Sequence, residues 1–202
     1  MGALRAGFLI ALCAFLRAQD APRGMSAGLF LSRGMGGESD LYGTGAAAEL
    51  AMHFGQGRVV EGRLRGGLFT LTSGDKKGRF GRPFNANSSG LLVAWDWVFR
   101  GGSGLYGILG LGGGFYRYRY EEVPGTMAFP DTPARTQSGS TAVGIACAGV
   151  GVALGRSTEV ELRYTLAKDS VVVAYGPLGE AFAGPYFNPA PSHLAVGVRW
   201  RF

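Results

Sequence analysis

The chain has 202 residues, of which 36 are glycine, with 12% aromatic residues, only 17% charged residues and a formal net charge of +6. Glycine is far above its average usage of roughly 7%, but it has no G-X-Y period, which excludes a collagen-like chain. The 47% hydrophobic content excludes a disordered one, and with lysine only at positions 76, 77 and 168 the composition disfavours a helical bundle or coiled coil.

The first element is an address. Arg5 precedes an uncharged apolar run from Ala6 to Leu16, too short to span a bilayer as a helix and suited to a signal peptide. We assign residues 1–18 to a cleavable signal helix, cut after Ala18, and residues 19–202 to a single domain. Cys13 is preceded by the bulky Leu12 and does not read as a lipoprotein cysteine. Cleavage removes Arg5 and Arg17 and leaves 18 basic and 14 acidic residues, a charge of +4. The basic residues are scattered apart from Lys76, Lys77, Arg79 and Arg82, which argues against a nucleic-acid partner. Cys147 alone survives cleavage, so no intrachain disulfide is possible.

From residue 25 onward, apolar residues recur at every second position, the period of a β-strand. Eight strands are predicted, at about 25–33, 46–54, 58–72, 90–100, 105–120, 141–154, 158–167 and 192–202. The run from Thr136 to Gly155 is uncharged and long enough to cross a membrane as a helix, but its five glycines and single leucine make a poor one. The connections alternate in length. Those at 55–57, 101–104 and 155–157 are tight, while those at 34–45, 73–89, 121–140 and 168–191 are long. Short turns at one end and long loops at the other are the pattern of an eight-stranded antiparallel transmembrane β-barrel.

The two faces differ in kind. Leu91, Val93, Trp95, Trp97 and Phe99 share one side, as do Val160, Leu162, Tyr164 and Leu166, and Ala48, Leu50, Met52 and Phe54. The other side carries Glu49, Glu61, Arg63, Arg65, Asp96, Arg100, Glu159, Glu161, Arg163, Arg199 and Arg201. In a soluble lipocalin-like barrel the apolar side would face inward; in a membrane barrel it meets lipid and the charges line the lumen. Aromatic residues near strand ends favour the membrane: Trp95, Trp97, Phe99, Tyr116, Tyr118, Tyr120, Trp200 and Phe202. A three-residue turn at 55–57 would pair Phe54 with Arg58, and hence Glu49 with Arg63 across the lumen. The eleven charges read as a structural network of salt bridges or, less simply, as a narrow polar pathway.

The signal peptide, eight strands, loop asymmetry and LAVGVRWRF ending resemble the small bacterial outer-membrane β-barrels of the OmpA/OmpX/OmpW type. The resemblance implies location in the outer membrane of a Gram-negative-type bacterium, with outer-membrane lipid as surroundings and both termini in the periplasm. It further implies that Leu194, Val196, Val198, Trp200 and Phe202 are read by the barrel-assembly machinery as a C-terminal signal. The expected role is structural or interactive: a monomeric cell-envelope protein displaying four long loops, with an extracellular ligand possible at them. A narrow porin-like conduit for small, even hydrophobic, molecules is the alternative. Its motivation is the apolar last loop, with Val171 to Tyr175 and Phe182 to Phe187.

Enzyme motifs are weak, and neither catalytic nor cofactor-binding residues are assigned. Some barrels of this kind modify lipid A with a lipid-facing His-Ser pair, but neighbouring Ser192 and His193 point to opposite faces of a strand. Gly24-Met25-Ser26-Ala27-Gly28 matches G-x-S-x-G, yet that motif needs a strand before it and a helix after it, whereas Ser26 begins an alternating strand. The glycines at 110–114 and 149–151 open no βαβ unit and read as tight barrel packing. With histidine only at positions 53 and 193, no cluster has zinc-site spacing.

Overall fold

The computed structural model describes residues 24–35, 43–72, 76–77, 83–122, 136–167 and 192–202. The signal-peptide assignment and most of the four long loops lie outside these residues. Among the described residues nine strands occur in chain order: β1 Met25–Gly34, β2 Thr44–Phe54, β3 Val60–Thr72, the two-residue β4 Lys76–Lys77, β5 Pro83–Arg100, β6 Leu105–Glu122, β7 Thr136–Leu154, β8 Thr158–Ala167 and β9 His193–Arg201. Each neighbouring pair is antiparallel. The sheet closes on itself, because β1 pairs with both β2 and β9 and because β3 pairs with β5. Eight strands form the wall, and β4 extends one edge of β5 through Lys76↔Phe84 and Lys77↔Pro83.

The tight turns and the first and last strand ends share one end, here the base. Gly55 and Gly57 adopt φ values of 71° and 80°, the left-handed region that a side chain resists. Arg58 N donates to Gly55 O at 3.2 Å, and the connection occupies residues 55–59. This is longer than the three-residue turn expected. The register therefore pairs Phe54 with Gly62, His53 with Arg63 and Glu49 with Gly67. The expected cross-strand pairing of Glu49 with Arg63 is wrong, because the β2–β3 ladder begins at Phe54↔Gly62: residues 58 and 59 belong to the turn, Val60 and Glu61 run past the end of β2 and pair only with β5, and every partner moves four residues along β3.

The wall is uneven in height. β5, β6 and β7 run 18, 18 and 19 residues, whereas β9 has 9. Expected starts at 90 and 141 become 83 and 136, because polar residues such as Asn87, Ser88, Ser89, Ser138 and Ser140 continue the ladder instead of leaving it. A strand needs only about 9–11 residues to cross a bilayer, so these three project well past the apolar zone at the top.

At the seam between β1 and β9, the chain ends depend on close backbone approach. A Cβ on Gly197 would lie 2.1 Å from Leu29 O and 2.4 Å from Phe30 Cδ1. Gly197→Val therefore forces the closing strands apart. We predict that it lowers the unfolding free energy of the refolded protein by about 1–3 kcal/mol or more, measured by urea titration in lipid vesicles. An unchanged midpoint would show that the seam has room the geometry denies.

Candidate functional site

Alternation in a closed barrel sorts side chains into an inner and an outer set. The outer set is apolar. Leu50, Leu68, Leu91, Val93, Trp95, Trp97, Leu109, Leu111, Val150, Leu162 and Val196 all face outward and are exposed. On β5 this band runs from Leu91 to Phe99, the nine residues that a tilted spanning strand requires. Its upper limit is sharp. The apolar row Leu91, Phe115 and Ala142 is followed by the row Ser89, Arg117 and Ser140, and then by Asn87, Arg119 and Ser138. Such an exterior is matched to hydrocarbon, and among the described residues each of the eight wall strands pairs with a neighbour on both sides, as a spanning sheet must.

Not every aromatic residue belongs to that exterior. Tyr116 and Tyr118 are buried inside the barrel, contrary to their expected place at the membrane interface. The glycine-rich run before them conceals the parity of β6, and its outward residues prove to be Leu109, Leu111 and Phe115. Trp95, Trp97 and Phe99 do face outward, and Phe54 stacks on Trp95 with ring centroids 5.4 Å apart.

The lumen has two storeys. Its upper half is apolar and aromatic: Phe30, Phe69, Leu71, Leu92, Tyr116, Tyr118 and Ile145 pack into one cluster. Phe69 lies 4.7 Å from the Tyr116 ring and 6.0 Å from that of His193, centroid to centroid. The lower half holds the charges, and there the structure brings all eleven candidate residues into one connected set.

Each carboxylate in it meets at least two guanidinium groups. Glu49 accepts from Arg199 Nη2 at 2.6 Å and lies 2.8 Å from Arg163 Nη2 and 3.3 Å from Arg65 Nη1. Asp96 accepts from Arg63 Nε at 3.0 Å and Arg65 Nε at 2.9 Å. Glu161 binds Arg63, with Arg199 Nε at 3.2 Å and Arg163 Nε at 3.4 Å. Nearer the base, Glu61 takes Arg100 Nε at 2.7 Å and Arg201 Nη2 at 2.9 Å. Glu159 lies 2.9 Å from Arg100 Nη2 and 2.8 Å from Arg201 Nε. The Tyr106 hydroxyl stands 3.1 Å from both Glu159 and Glu161 and donates to one at a time. Arg63, Arg65, Arg199, Glu61, Glu161 and Asp96 are fully enclosed.

Glycine and aromatic neighbours shape this interior. A Cβ on Gly110 would fall 2.2 Å from Asp96 Oδ1 and 2.6 Å from Cys147 Sγ, so its absence makes room for that carboxylate. The free Cys147 is buried among the same groups, 3.2 Å from Arg65 Nη2. Arg163 lies over the Phe30 ring at 4.1 Å and joins the two storeys through a cation–π contact. Among the described residues, no group of three or more His, Cys, Asp or Glu side chains is placed to hold a metal.

Besides Tyr106 and Cys147, two further residues outside the eleven join the network. Ser26 and His53 stand at the base beside Glu61, with Ser26 Oγ 2.7 Å from His53 Nε2. Sequence spacing gave no sign of this. The G-x-S-x-G match at Ser26 is not a nucleophile elbow, because β1 starts at Met25 and no helix follows it. The other serine–histidine neighbours separate: Ser192 Oγ bonds the backbone of Ala167, and His193 turns into the lumen. The C-terminal residues Leu194, Val196, Val198, Trp200 and Phe202 form an outward row; the first four oppose Arg33, Leu31, Leu29 and Ala27 of β1.

No family model and no characterised protein sequence matches the chain. Solved structures do match in fold. Ail, the attachment invasion locus protein of Yersinia pestis, superposes with a TM-score of 0.50 at 13% identity, covering 90% of this chain and 100% of that one. Neisserial surface protein A gives a TM-score of 0.45 at 14% identity, covering 88% and 96%. With its closed eight-stranded wall, apolar exterior and charged interior, the protein has the architecture of the small outer-membrane β-barrels.

Removing one member of a buried ion network strands its partners, at a cost of about 3–5 kcal/mol. Glu49→Ala is expected to fall in that range. In double-mutant cycles Glu49 should couple to Arg163 by more than about 1 kcal/mol and only weakly to Arg63, as read from unfolding in vesicles. Equal coupling to both arginines would contradict the β2–β3 register.

Proposed function

We propose that the protein is a monomeric outer-membrane barrel that serves as a rigid anchor and presents its long loops at the cell surface, in a structural or surface-interaction role. The observation that carries this reading is a lipid-matched exterior around a filled interior. A barrel of eight strands is just wide enough for side chains to fill, and here guanidinium–carboxylate pairs occupy the lower lumen and aromatic rings the upper. A filled lumen weighs against a conduit and leaves the top end as the surface for contact. There the upper ends of β5, β6 and β7 extend past the apolar belt.

Ail is by name an attachment and invasion protein. Its likeness to this chain concerns the fold, so the surface-interaction role rests on the exterior and interior just described. The test is fractionation with bilayer recording. The protein should partition with the outer membrane, migrate faster on gels before heating than after, and conduct no steady current in planar bilayers. Recovery from the soluble periplasm would overturn the membrane placement. Sustained conductance would overturn the anchor role in favour of a channel.

The C-terminal row supports a second proposal, that Phe202 and Trp200 are read during assembly. One terminal ring contributes at most a couple of kcal/mol by burial; Phe202 N donates to Met25 O at 3.0 Å and Phe202 O accepts from Gly24 N at 3.5 Å, at a strand end. Deleting Phe202 should leave refolding in detergent nearly intact while reducing the folded protein in cells severalfold. Equal losses by both routes would mean that the residue acts through stability alone.

A further inference from the structure

Ser26, His53 and Glu61 are brought together from three different strands at the base of the lumen. Ser26 Oγ lies 2.7 Å from His53 Nε2, and His53 Nδ1 is bonded to Glu61 Oε1. A carboxylate can only accept, so the imidazole proton sits on Nδ1 and Nε2 is left to accept the serine proton. Arg199 Nη1 approaches the same serine oxygen at 3.1 Å. A hydroxyl, an imidazole that takes its proton, a carboxylate that orients the imidazole and a cation beside the oxygen are the parts of a serine hydrolase relay, which geometry rather than sequence position defines.

Charge balance does not require this arrangement. Glu61 is already matched by Arg100 and Arg201, and Arg199 by Glu49 and Glu161. Ser26 and His53 are additional to the ion network, and a chain with only two histidines has placed one between a hydroxyl and a carboxylate.

We propose that Ser26, His53, Glu61 and Arg199 form an esterase site at the base of the barrel, acting on small acyl esters that carry an anionic group. Ser26 Oγ attacks the acyl carbon while His53 Nε2 takes its proton, and the carbonyl electron pair moves onto oxygen, where Arg199 Nη1 donates to the developing charge. Collapse of this adduct breaks the ester C–O bond, and the alcohol leaves with the proton from His53. Water, deprotonated by the same nitrogen, then releases the acid and restores Ser26. Glu61 is a positioning residue that holds the imidazole tautomer. Preference for an anionic substrate follows from Arg100 and Arg201, whose side chains are 23% and 19% exposed at the same end.

Access is controlled by the turn at residues 55–59. Ser26 is fully enclosed and His53 is 8% exposed. The Gln56 amide lies over Gly24, two residues from Ser26, where a Cβ would meet Gln56 Nε2 at 3.2 Å. Gln56 is itself exposed and is flanked by the left-handed Gly55 and Gly57. Swinging it aside opens the route to the hydroxyl from the base.

The experiment uses the full-length folded protein in detergent micelles with diisopropyl fluorophosphate as probe, followed by peptide mapping. In this reaction the Ser26 oxygen–phosphorus bond forms, fluoride leaves and the proton passes to His53. The expected result is one adduct on Ser26, absent in Ser26→Ala, slowed about 100-fold or more in His53→Gln, and accelerated in Gln56→Gly. Hydrolysis of 4-nitrophenyl hydrogen succinate should exceed that of 4-nitrophenyl acetate, and both should vanish in Ser26→Ala. The heat-dependent gel shift establishes that each variant is folded. If His53→Gln fails to fold, Ser26→Cys replaces it, and iodoacetamide should alkylate that position faster than an unperturbed thiol. No adduct on Ser26 in folded protein, labelling indifferent to His53, or alkylation no faster than a free thiol would each overturn the site.

Discussion

Pairing of β1 with β9 is the constraint on which the rest of the structure depends. It converts a sheet with two open edges into a closed wall, the only way a β-structure can satisfy its backbone polar groups in hydrocarbon. Closure leaves the side chains only two directions. Alternation then sends Leu29, Leu31, Val196 and Val198 outward at the seam and Phe30, Ser32, Ala195 and Arg199 inward. Once the wall is closed, the exterior is free to be apolar, and whatever is polar has to be accommodated inside.

The interior is narrow, and its contents must be mutually consistent. A lone guanidinium enclosed there would be prohibitively costly, whereas five carboxylates shared among six arginines form ion pairs across strands that are far apart in sequence. Arg199 illustrates the economy: it reaches Glu49, Glu161 and Ser26 from β9 and ties the end of the chain to its beginning. Glycines opposite the largest groups, such as Gly110 beside Asp96 and Gly151 against the Tyr106 ring, provide the space. The same network that fills the lower lumen also holds Ser26, His53 and Glu61 at hydrogen-bonding distance. The proposed reactive centre is thus part of the filling, since Glu61 and Arg199 belong to both.

Which residues would meet across the lumen was only partly legible in the chain. Charged residues sharing a face with period two could be read directly, since that depends on one strand at a time. Partners could not, because the pairing of Glu49 depends on the length of a turn. Four residues more than expected, 58 to 61, intervene before the β2–β3 ladder begins, so Glu49 stands opposite Gly67 and its carboxylate meets Arg65, Arg163 and Arg199 instead of Arg63. Tyr116 and Tyr118 were misplaced for a related reason. In a run where Gly110, Gly112, Gly113 and Gly114 interrupt the pattern, the alternation that reveals parity is lost, and only the pairing with β5 and β7 restores it.

The chain by itself determined an all-β barrel with an apolar and a charged face, since composition and a period of two act locally and survive errors of a few residues. It also determined the base end, because Gly55, Gly57, Gly104 and Gly155 each mark a tight connection by a conformation that other residues resist. Only the tertiary structure decided which charges pair, that the lumen is filled, and that Ser26, His53 and Glu61 form a relay. Those contacts join residues 8 to 173 positions apart. Their distances are set by register, shear and closure of the whole sheet, quantities to which no single strand commits.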